Sequence, residues 1–249
     1  MNILLTNDDG YKASGINQLF KSLSAEHKVF LIAPRENCSG MSAAISLRKE
    51  IKVEEISKNI FSVSGTPADC SYLGLLSVIP EPLEMSVSGI NLGANLGEDV
   101  FYSGTVGAAI AGRRLNYVPV AFSVAAYNPK NLTYIAEQSL LITNQASQLP
   151  ADQNLLVNVN FPDLSASKIK GIKITSLGKR GVPDTPDLIR GKDSIKFYSF
   201  GPSGTLLPDQ VGTDIQAIEQ NYISISILNY NLSADLAHWD LYKEVFNCE

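Results

Sequence analysis

The sequence has 249 residues, 45% of them hydrophobic, and carries 20 basic against 25 acidic side chains, a formal net charge of -5. A chain of this length can bury a core that is stable without disulfides or structural metals. Its ordinary composition excludes collagen-like, coiled-coil and disordered proteins. Because acidic residues outnumber basic ones, the chain lacks the excess of basic residues that a general nucleic-acid binder needs. We therefore expect no nucleic acid among its partners.

Cysteine usage and hydropathy indicate the compartment. Cys38, Cys70 and Cys248 are far apart and form no CxxC pair, which argues against a disulfide framework and a zinc ribbon. The apolar run at 3–5 is followed closely by two adjacent acidic residues, which leaves no room for the apolar segment of a signal peptide. No stretch approaches the roughly 18 apolar residues of a membrane span. We therefore expect a cytoplasmic protein with no membrane partner.

Strand-like apolar runs alternate with helical periodicity through the first 160 residues. Strands are predicted at 2–5, 28–33, 51–53, 60–63, 84–88, 119–124 and 155–160. Helices are predicted at 16–23, 106–115 and 132–148, with another beginning at Thr66 and Pro67, an N-cap followed by a proline in the first turn. This rhythm predicts an α/β fold with a doubly wound, Rossmann-like, mostly parallel sheet flanked by helices.

The rhythm changes beyond about residue 168. Further strands are predicted at 170–177, 195–200 and 222–228, around a stretch rich in glycine, proline and charge, and a last amphipathic helix at 234–245. We therefore divide a single domain, 1–249, into a core at 1–167, a β-rich arm at 168–230 and a C-terminal helix at 231–249. An isolated hairpin is marginal in water and an exposed strand edge invites pairing. The arm is therefore predicted to join identical subunits in a homo-oligomer.

Several common active-site patterns are missing. The two histidines, His27 and His238, are too few for a histidine-rich metal centre, and no GxSxG elbow supports a serine hydrolase. No GxGxxG follows the first strand, which weakens a dinucleotide-binding interpretation.

The tetrapeptide from Asn7 to Gly10 stands at the carboxyl end of the first strand, the edge where open α/β sheets bind ligands. Asp8 and Asp9 are adjacent, so each charge raises the pKa of the other. A divalent cation with a preference for oxygen ligands resolves that repulsion. The alternative is a purely structural turn, because Asn-Asp-Asp-Gly is also good turn chemistry.

Two more polar segments follow strand ends. Residues 88–97 hold glycines and asparagines at regular spacing, and 102–108 lead into a helix whose first backbone N–H groups suit a phosphate. Residues 34–46 form a loop of small residues after the second strand. Each segment is compatible with an ordinary glycine-rich loop or helix cap. Because all three follow strand ends of one sheet, we interpret them as one site.

These segments together resemble the SurE family of metal-dependent nucleotidases. The matching stretches are 3–10, 33–40, 65–70, 88–97, 102–107, 156–160 and 213–227. The resemblance implies hydrolysis of nucleoside 5′- and 3′-monophosphates, with short-chain polyphosphate as a further candidate substrate. It also implies a homodimer or homotetramer built through the C-terminal arm.

The resemblance also assigns residues to roles. It implies one divalent ion, Mg²⁺ or Mn²⁺, in each subunit, and makes Asp8 and Asp9 the catalytic residues, with Asp9 as a candidate proton acceptor. The implied metal ligands are Asp8, Asp9, Ser39 and Asn91. The implied phosphate and substrate contacts are Asn7, Gly40, Asn95, Ser103, Gly104 and Thr105.

Three alternatives stay open. Asp8 could be the covalent nucleophile of an aspartyl-phosphate phosphatase, although that chemistry normally uses carboxylates two residues apart. The chain could be a nucleotide-binding sensor without turnover. A local basic run, at Lys168, Lys170, Lys173, Lys179 and Arg180, could contact nucleic acid, although such runs are more often solvated surface.

Overall fold

The computed structural model describes residues 1–149, 154–201, 204–205, 207, 210–233 and 239–246. Nine strands form one sheet in the order β3-β4-β2-β1-β5-β6-β7-β11-β8, and two strands form a separate hairpin. The sheet strands are β1 Asn2–Thr6, β2 Lys28–Pro34, β3 Val53–Ser57, β4 Ile60–Val63, β5 Met85–Leu92, β6 Val120–Val124, β7 Leu155–Phe161, β8 Ile172–Thr175 and β11 Ile223–Asn229; the hairpin is β9 Asp187–Lys192 with β10 Ile195–Ser199. The predicted doubly wound, mostly parallel α/β fold is confirmed.

The order of the strands creates a switch point at the centre of the sheet. β1 pairs in parallel with β2 on one side and with β5 on the other. From β1 the chain adds β2 and β4 in one direction, and from β5 it adds β6 and β7 in the opposite direction. Loops at the carboxyl ends of β1 and β5 therefore diverge and leave a crevice, where ligands bind in this class of fold.

Helices cover both faces of the sheet. The helices are α1 Ser14–Leu23, α2 Pro67–Leu73, α3 Gly104–Ala111, α4 Leu132–Ala146, α5 Asp214–Glu219 and α6 Trp239–Phe246. α1 and α4 pack together on the face that receives Ile3 and Leu5, whereas α2 packs on the face that receives Leu4. Because successive strand residues point to opposite faces, the apolar run of β1 is buried on both sides.

The predicted N-terminus of α2 is confirmed. The Thr66 hydroxyl accepts a hydrogen bond from Asp69 N, and the Asp69 carboxylate accepts one from Thr66 N. This reciprocal capping box satisfies two backbone donors that the helix itself leaves without a partner. Pro67 occupies the first turn, where its missing N–H costs nothing.

The region predicted as one arm, 168–230, divides into two parts. β11 pairs antiparallel with β7 and parallel with β8, so both belong to the main sheet, and the hairpin lies outside it. The hairpin strand β9 and the short helix α5 were not predicted. α6 overlaps the helix predicted at 234–245 and extends one residue beyond it, and 234–238 fall outside the described residues. No helix among the described residues is long and apolar enough to cross a membrane.

Candidate functional site

The turn after β1 is built by Asn7. Its side-chain Nδ2 donates to Gly10 O at 3.0 Å, and its Oδ1 accepts from Gly10 N at 3.2 Å. Asn7 is fully buried. Asn7, predicted as a phosphate contact, therefore shapes the turn that presents Asp8 and Asp9. Both ends of its side-chain amide are hydrogen-bonded to Gly10.

Asp8 is buried against the first turn of α3. The Thr105 hydroxyl donates to Asp8 Oδ1 at 2.5 Å, and Cys38 N donates to the Asp8 carbonyl at 2.7 Å. A Cβ at Gly104 would lie 2.8 Å from Asp8 Oδ2, so only glycine allows this close approach. Burial raises the pKa of Asp8 to about 6, the Thr105 hydroxyl opposes that rise, and the nearby Asp9 charge adds to it.

Asp9 is half-buried and links β1 to two other segments. Leu92 N, at the end of β5, donates to Asp9 Oδ2 at 3.0 Å. Asn37 Nδ2 donates to Asp9 Oδ1 at 3.3 Å, while Asn37 Oδ1 accepts from Ser39 N at 2.9 Å. Burial raises the pKa of Asp9, and the bond from Leu92 N opposes that rise. Asn37 was not predicted as a site residue, although it lies in the polar loop noted after the second strand.

The predicted ligands Ser39 and Asn91 are linked to Asp9 through neighbouring residues. Asn37 bonds both Asp9 and Ser39 N, and Leu92 N, the residue after Asn91, donates to Asp9. Ser39 is exposed, in a loop where Gly40 adopts a φ of +77°, a left-handed conformation that favours glycine. Asn91 is the second-last residue of β5, and its Nδ2 donates to Gly93 O at 2.8 Å. That bond turns the donor end of the amide toward the backbone, so the Asn91 oxygen is the end suited to a cation.

The N-terminus of α3 closes another side of the site. Ser103 is its N-cap and accepts from Val106 N at 3.1 Å, and Gly104 and Thr105 follow in the first turn. The loop that carries Ser39 packs against this segment, because Ser42 N and Oγ donate to the carbonyls of Tyr102 and Phe101. The first backbone N–H groups of a helix attract anions.

Asn95 lies in the loop after β5 and is 7% exposed. Its Nδ2 donates to Ser123 Oγ on β6 at 2.8 Å. Its backbone is bonded by two buried amides of β7, Asn158 and Asn160. Neither was predicted as a site residue, although asparagines two apart in an otherwise apolar strand are a detectable signal, because they place two polar groups on one buried face.

The donor set suits a divalent cation. Among the described residues, no lysine, arginine or histidine forms an ion pair with Asp8 or Asp9, and no group of three or more histidine, cysteine, aspartate or glutamate side chains could hold a metal. The site therefore offers two carboxylates, and the Asn91 amide and the Ser39 hydroxyl belong to the two segments that bond Asp9. These are hard oxygen ligands of the kind that Mg²⁺ and Mn²⁺ prefer.

Comparison with known proteins gives similarity along nearly the whole chain. A family model described as survival protein SurE matches residues 3–184. The 5′-nucleotidase SurE of Pseudoalteromonas atlantica is 39% identical over 96% of this chain and 98% of its own length. The 5′/3′-nucleotidase SurE of Wigglesworthia glossinidia brevipalpis is 41% identical over 94% of this chain and 93% of its own. The crystal structure of SurE from Aquifex aeolicus matches with a TM-score of 0.85 at 32% identity, covering 99% of this chain and 100% of that one.

Proposed function

Because the chain belongs to the survival protein SurE family, we propose that it is a metal-dependent phosphomonoesterase acting on nucleoside 5′- and 3′-monophosphates. The products are nucleoside and phosphate. One observation carries the proposal: at the switch point of the sheet, a buried carboxylate, Asp8, bonds the first turn of α3, and the half-buried carboxylate of Asp9 follows it. A cation site next to an anion site is the arrangement that a phosphate ester needs.

We assign one Mg²⁺ or Mn²⁺ per subunit to Asp8, Asp9, Ser39 and Asn91. Burial supports this assignment, since two carboxylates that share a low-dielectric space are costly unless a cation compensates their charge. When bound, such an ion offsets phosphate charge and lowers the pKa of water.

Phosphate recognition is assigned to the N-terminal turn of α3 and to Asn95. The Thr105 hydroxyl and the Thr105 backbone N–H both bond the Asp8 carboxylate, so a contact of Thr105 with phosphate competes with Asp8, and Ser103 and Gly104 contribute beside it. These donors stabilise the charge on the phosphate oxygens as the bond to the leaving group loosens. Gly40, another predicted substrate contact, follows Ser39 in the exposed loop.

Proton transfer is assigned to Asp9 and to solvent. Asp9 is less buried than Asp8, so it is the carboxylate more accessible to a water molecule that gives up a proton. His27 precedes β2 at the amino ends of the parallel strands and bonds Asn144 at 2.9 Å. It therefore lies at the edge of the sheet opposite to the proposed site. The leaving alcohol therefore takes its proton from water.

The test is phosphate release from 5′-AMP and 3′-AMP in the presence of Mn²⁺, with short-chain polyphosphate as a third substrate. We expect release that a chelator abolishes and added Mn²⁺ or Mg²⁺ restores. Nucleotide binding without release would make the chain a sensor module. A phosphoaspartate trapped on acid quench would instead favour a covalent route through Asp8.

We also propose that the protein is a homodimer or homotetramer assembled through the β9–β10 hairpin. All residues of both hairpin strands are exposed in the single chain. In β10 these include the apolar residues Ile195, Phe197 and Tyr198. A two-stranded hairpin is marginal in water by itself, and contact with a second copy would bury this surface. Light scattering at micromolar concentration tests this, and a stable active species at 26.9 kDa would refute it.

A further inference from the structure

We propose that Asn160 and Asn158, two buried amides of β7, are positioning residues that hold Asn95 for contact with the substrate phosphate. The inference rests on the proposed function, because that function makes phosphate the ligand of Asn95. Neither side chain is placed in the catalytic or metal machinery. Both act through the backbone of one residue in the loop that follows β5.

Asn160 forms two hydrogen bonds with the same peptide segment. Its Oδ1 accepts from Asn95 N at 2.9 Å, and its Nδ2 donates to Asn95 O at 2.9 Å. Asn158 Nδ2 adds a donor to the same carbonyl at 3.0 Å. The three bonds engage both backbone polar groups of Asn95, much as a neighbouring strand would.

The loop needs such support because it lacks a regular partner. β5 ends at Leu92, and the next regular element, a 3₁₀ turn, begins at Gly97. Buried backbone groups must be paired, and here side chains supply the pairing. Ser123 Oγ fixes the Asn95 side chain from the adjacent strand. An amide nitrogen carries two hydrogens, so Asn95 retains one for an anion.

The two amides lie on the face of β7 that carries α3. Leu156, two residues before Asn158, packs with Val106 and Ala109 of α3, whereas Val157 and Val159 belong to the core on the opposite face. Side chains two apart in a strand share a face. Asn158 and Asn160 therefore support the loop from the same side of the sheet as the proposed phosphate-binding turn.

Stability alone does not account for this pair. Both amides are fully buried, and Asn158 Oδ1 has no hydrogen-bond partner in the part of the chain that the structure describes. A buried polar atom without a partner destabilises a fold. An apolar residue at position 158 would avoid that cost, because Asn160 alone already pairs the Asn95 carbonyl. Residues kept against stability are typical of functional positions.

The experiment compares Asn160→Ala and Asn158→Ala with the matched control Val159→Ala, which weakens the same strand from its other face. The full-length protein is titrated with inorganic phosphate in the presence of Mn²⁺ by calorimetry. We expect the dissociation constant to rise about tenfold for Asn160→Ala and about threefold for Asn158→Ala, because small displacements of a binding group cost large factors. Val159→Ala lowers the melting temperature without changing the dissociation constant.

A second readout separates positioning from general damage. With 5′-AMP as substrate, kcat/KM falls mainly through KM in both asparagine variants, while the Mn²⁺ concentration for half-maximal activity is unchanged. An unchanged phosphate dissociation constant in Asn160→Ala overturns the proposal, and so does an equal loss in Val159→Ala. If Asn160→Ala does not fold, Asn158→Ala decides by the same criteria, since it retains both bonds from Asn160.

The outcome is distinguishable from failure of the proposed function. If the unaltered protein binds phosphate but releases none from 5′-AMP or 3′-AMP, the phosphatase proposal fails, and the positioning role is still decided by the dissociation constants. If the unaltered protein does not bind phosphate at all, the positioning role is overturned as well.

Discussion

The sheet edge around Asp8 and the β9–β10 hairpin differ in how far their side chains find partners within the same chain. At the sheet edge, Asp8, Asp9 and Asn95 each have hydrogen-bond partners supplied by other segments of the same chain. In the hairpin, every residue of both strands is exposed, including the apolar residues Leu188, Ile189, Ile195, Phe197 and Tyr198.

We therefore propose that the sheet edge carries out the chemistry and that the hairpin carries out the assembly. The proposed site draws its residues from β5, from the loops after β1, β2 and β5, and from the N-terminus of α3, so one subunit holds all of the proposed ligands. The hairpin leaves about half or more of each large apolar side chain exposed in its own subunit, and we propose that a second copy covers this surface. Substitutions at the sheet edge are therefore expected to change the rate, and substitutions in the hairpin to change the association state.

The largest effect is expected for Asp8→Asn. Loss of one charge from the proposed cation site removes several kcal/mol of transition-state stabilisation, so kcat/KM should fall about 10³-fold or more. The melting temperature should hold or rise, because burial disfavours the charged Asp8 carboxylate. The control is Asp187→Asn, an exposed hairpin carboxylate whose removal should leave the rate unchanged. Near-normal turnover in Asp8→Asn would remove Asp8 from the site.

The next effect is expected for Thr105→Val, which keeps the shape of the side chain but deletes the donor to Asp8. A hydrogen bond to a charged group contributes about 1.5–3 kcal/mol, so kcat/KM should fall roughly 10- to 100-fold. Thr105→Ser is the control, because it retains the hydroxyl and should stay near the original rate. If both variants lose stability and keep their rates, Thr105 only supports the helix.

The candidate site illustrates what a sequence can specify. Asp8 and Asp9 were predictable because a strand pattern directly precedes them, and because the carboxyl edge of an open sheet is where ligands bind. The bond from Asn37 to Asp9 was not predictable, since it depends on how one amide is oriented in a loop. The role of Asn160 depends on a contact between residues 65 positions apart in sequence.

The fold, too, was predictable from the sequence only in part. The alternation of β11 predicted a strand correctly. Its place between β7, to which it is antiparallel, and β8, to which it is parallel, is decided by packing in the finished sheet. β9 contains Gly191 and follows a proline-rich stretch, so local propensity argued against a strand. α5 has six residues, fewer than two helical turns, and cannot display helical periodicity.

A smaller effect on the rate is expected from the hairpin. Leu188 and Tyr198 are partners across β9 and β10, and both are exposed. Leu188→Asp places a charge on the surface proposed to contact a second copy, and burying an unpaired charge is costly. Light scattering should report a shift toward 26.9 kDa, with kcat/KM per subunit unchanged. Loss of activity together with dissociation would contradict the separation of the two regions.

The smallest effect concerns the connection between the regions. Arg180 lies between β8 and the hairpin, and its Nε donates to Asp99 at 2.9 Å, while its Nη1 donates to Gly204 O at 3.0 Å. Asp99 belongs to the 3₁₀ turn Gly97–Phe101, which leads directly into Ser103. The two side chains are only 18% and 20% exposed, so their ion pair is less screened than one at the surface.

A double-mutant cycle with Arg180→Ala and Asp99→Ala measures this connection. We expect a coupling free energy of about 1 kcal/mol in chemical unfolding, because the pair is partly buried and makes several hydrogen bonds. Each single variant should lower the melting temperature by a few degrees and leave kcat/KM within about threefold, since Ser103 keeps its own cap bond to Val106 N. A tenfold loss of kcat/KM in Arg180→Ala alone would mean that the segment leading to the hairpin helps to hold the phosphate-binding turn, and the two regions would then form one functional unit.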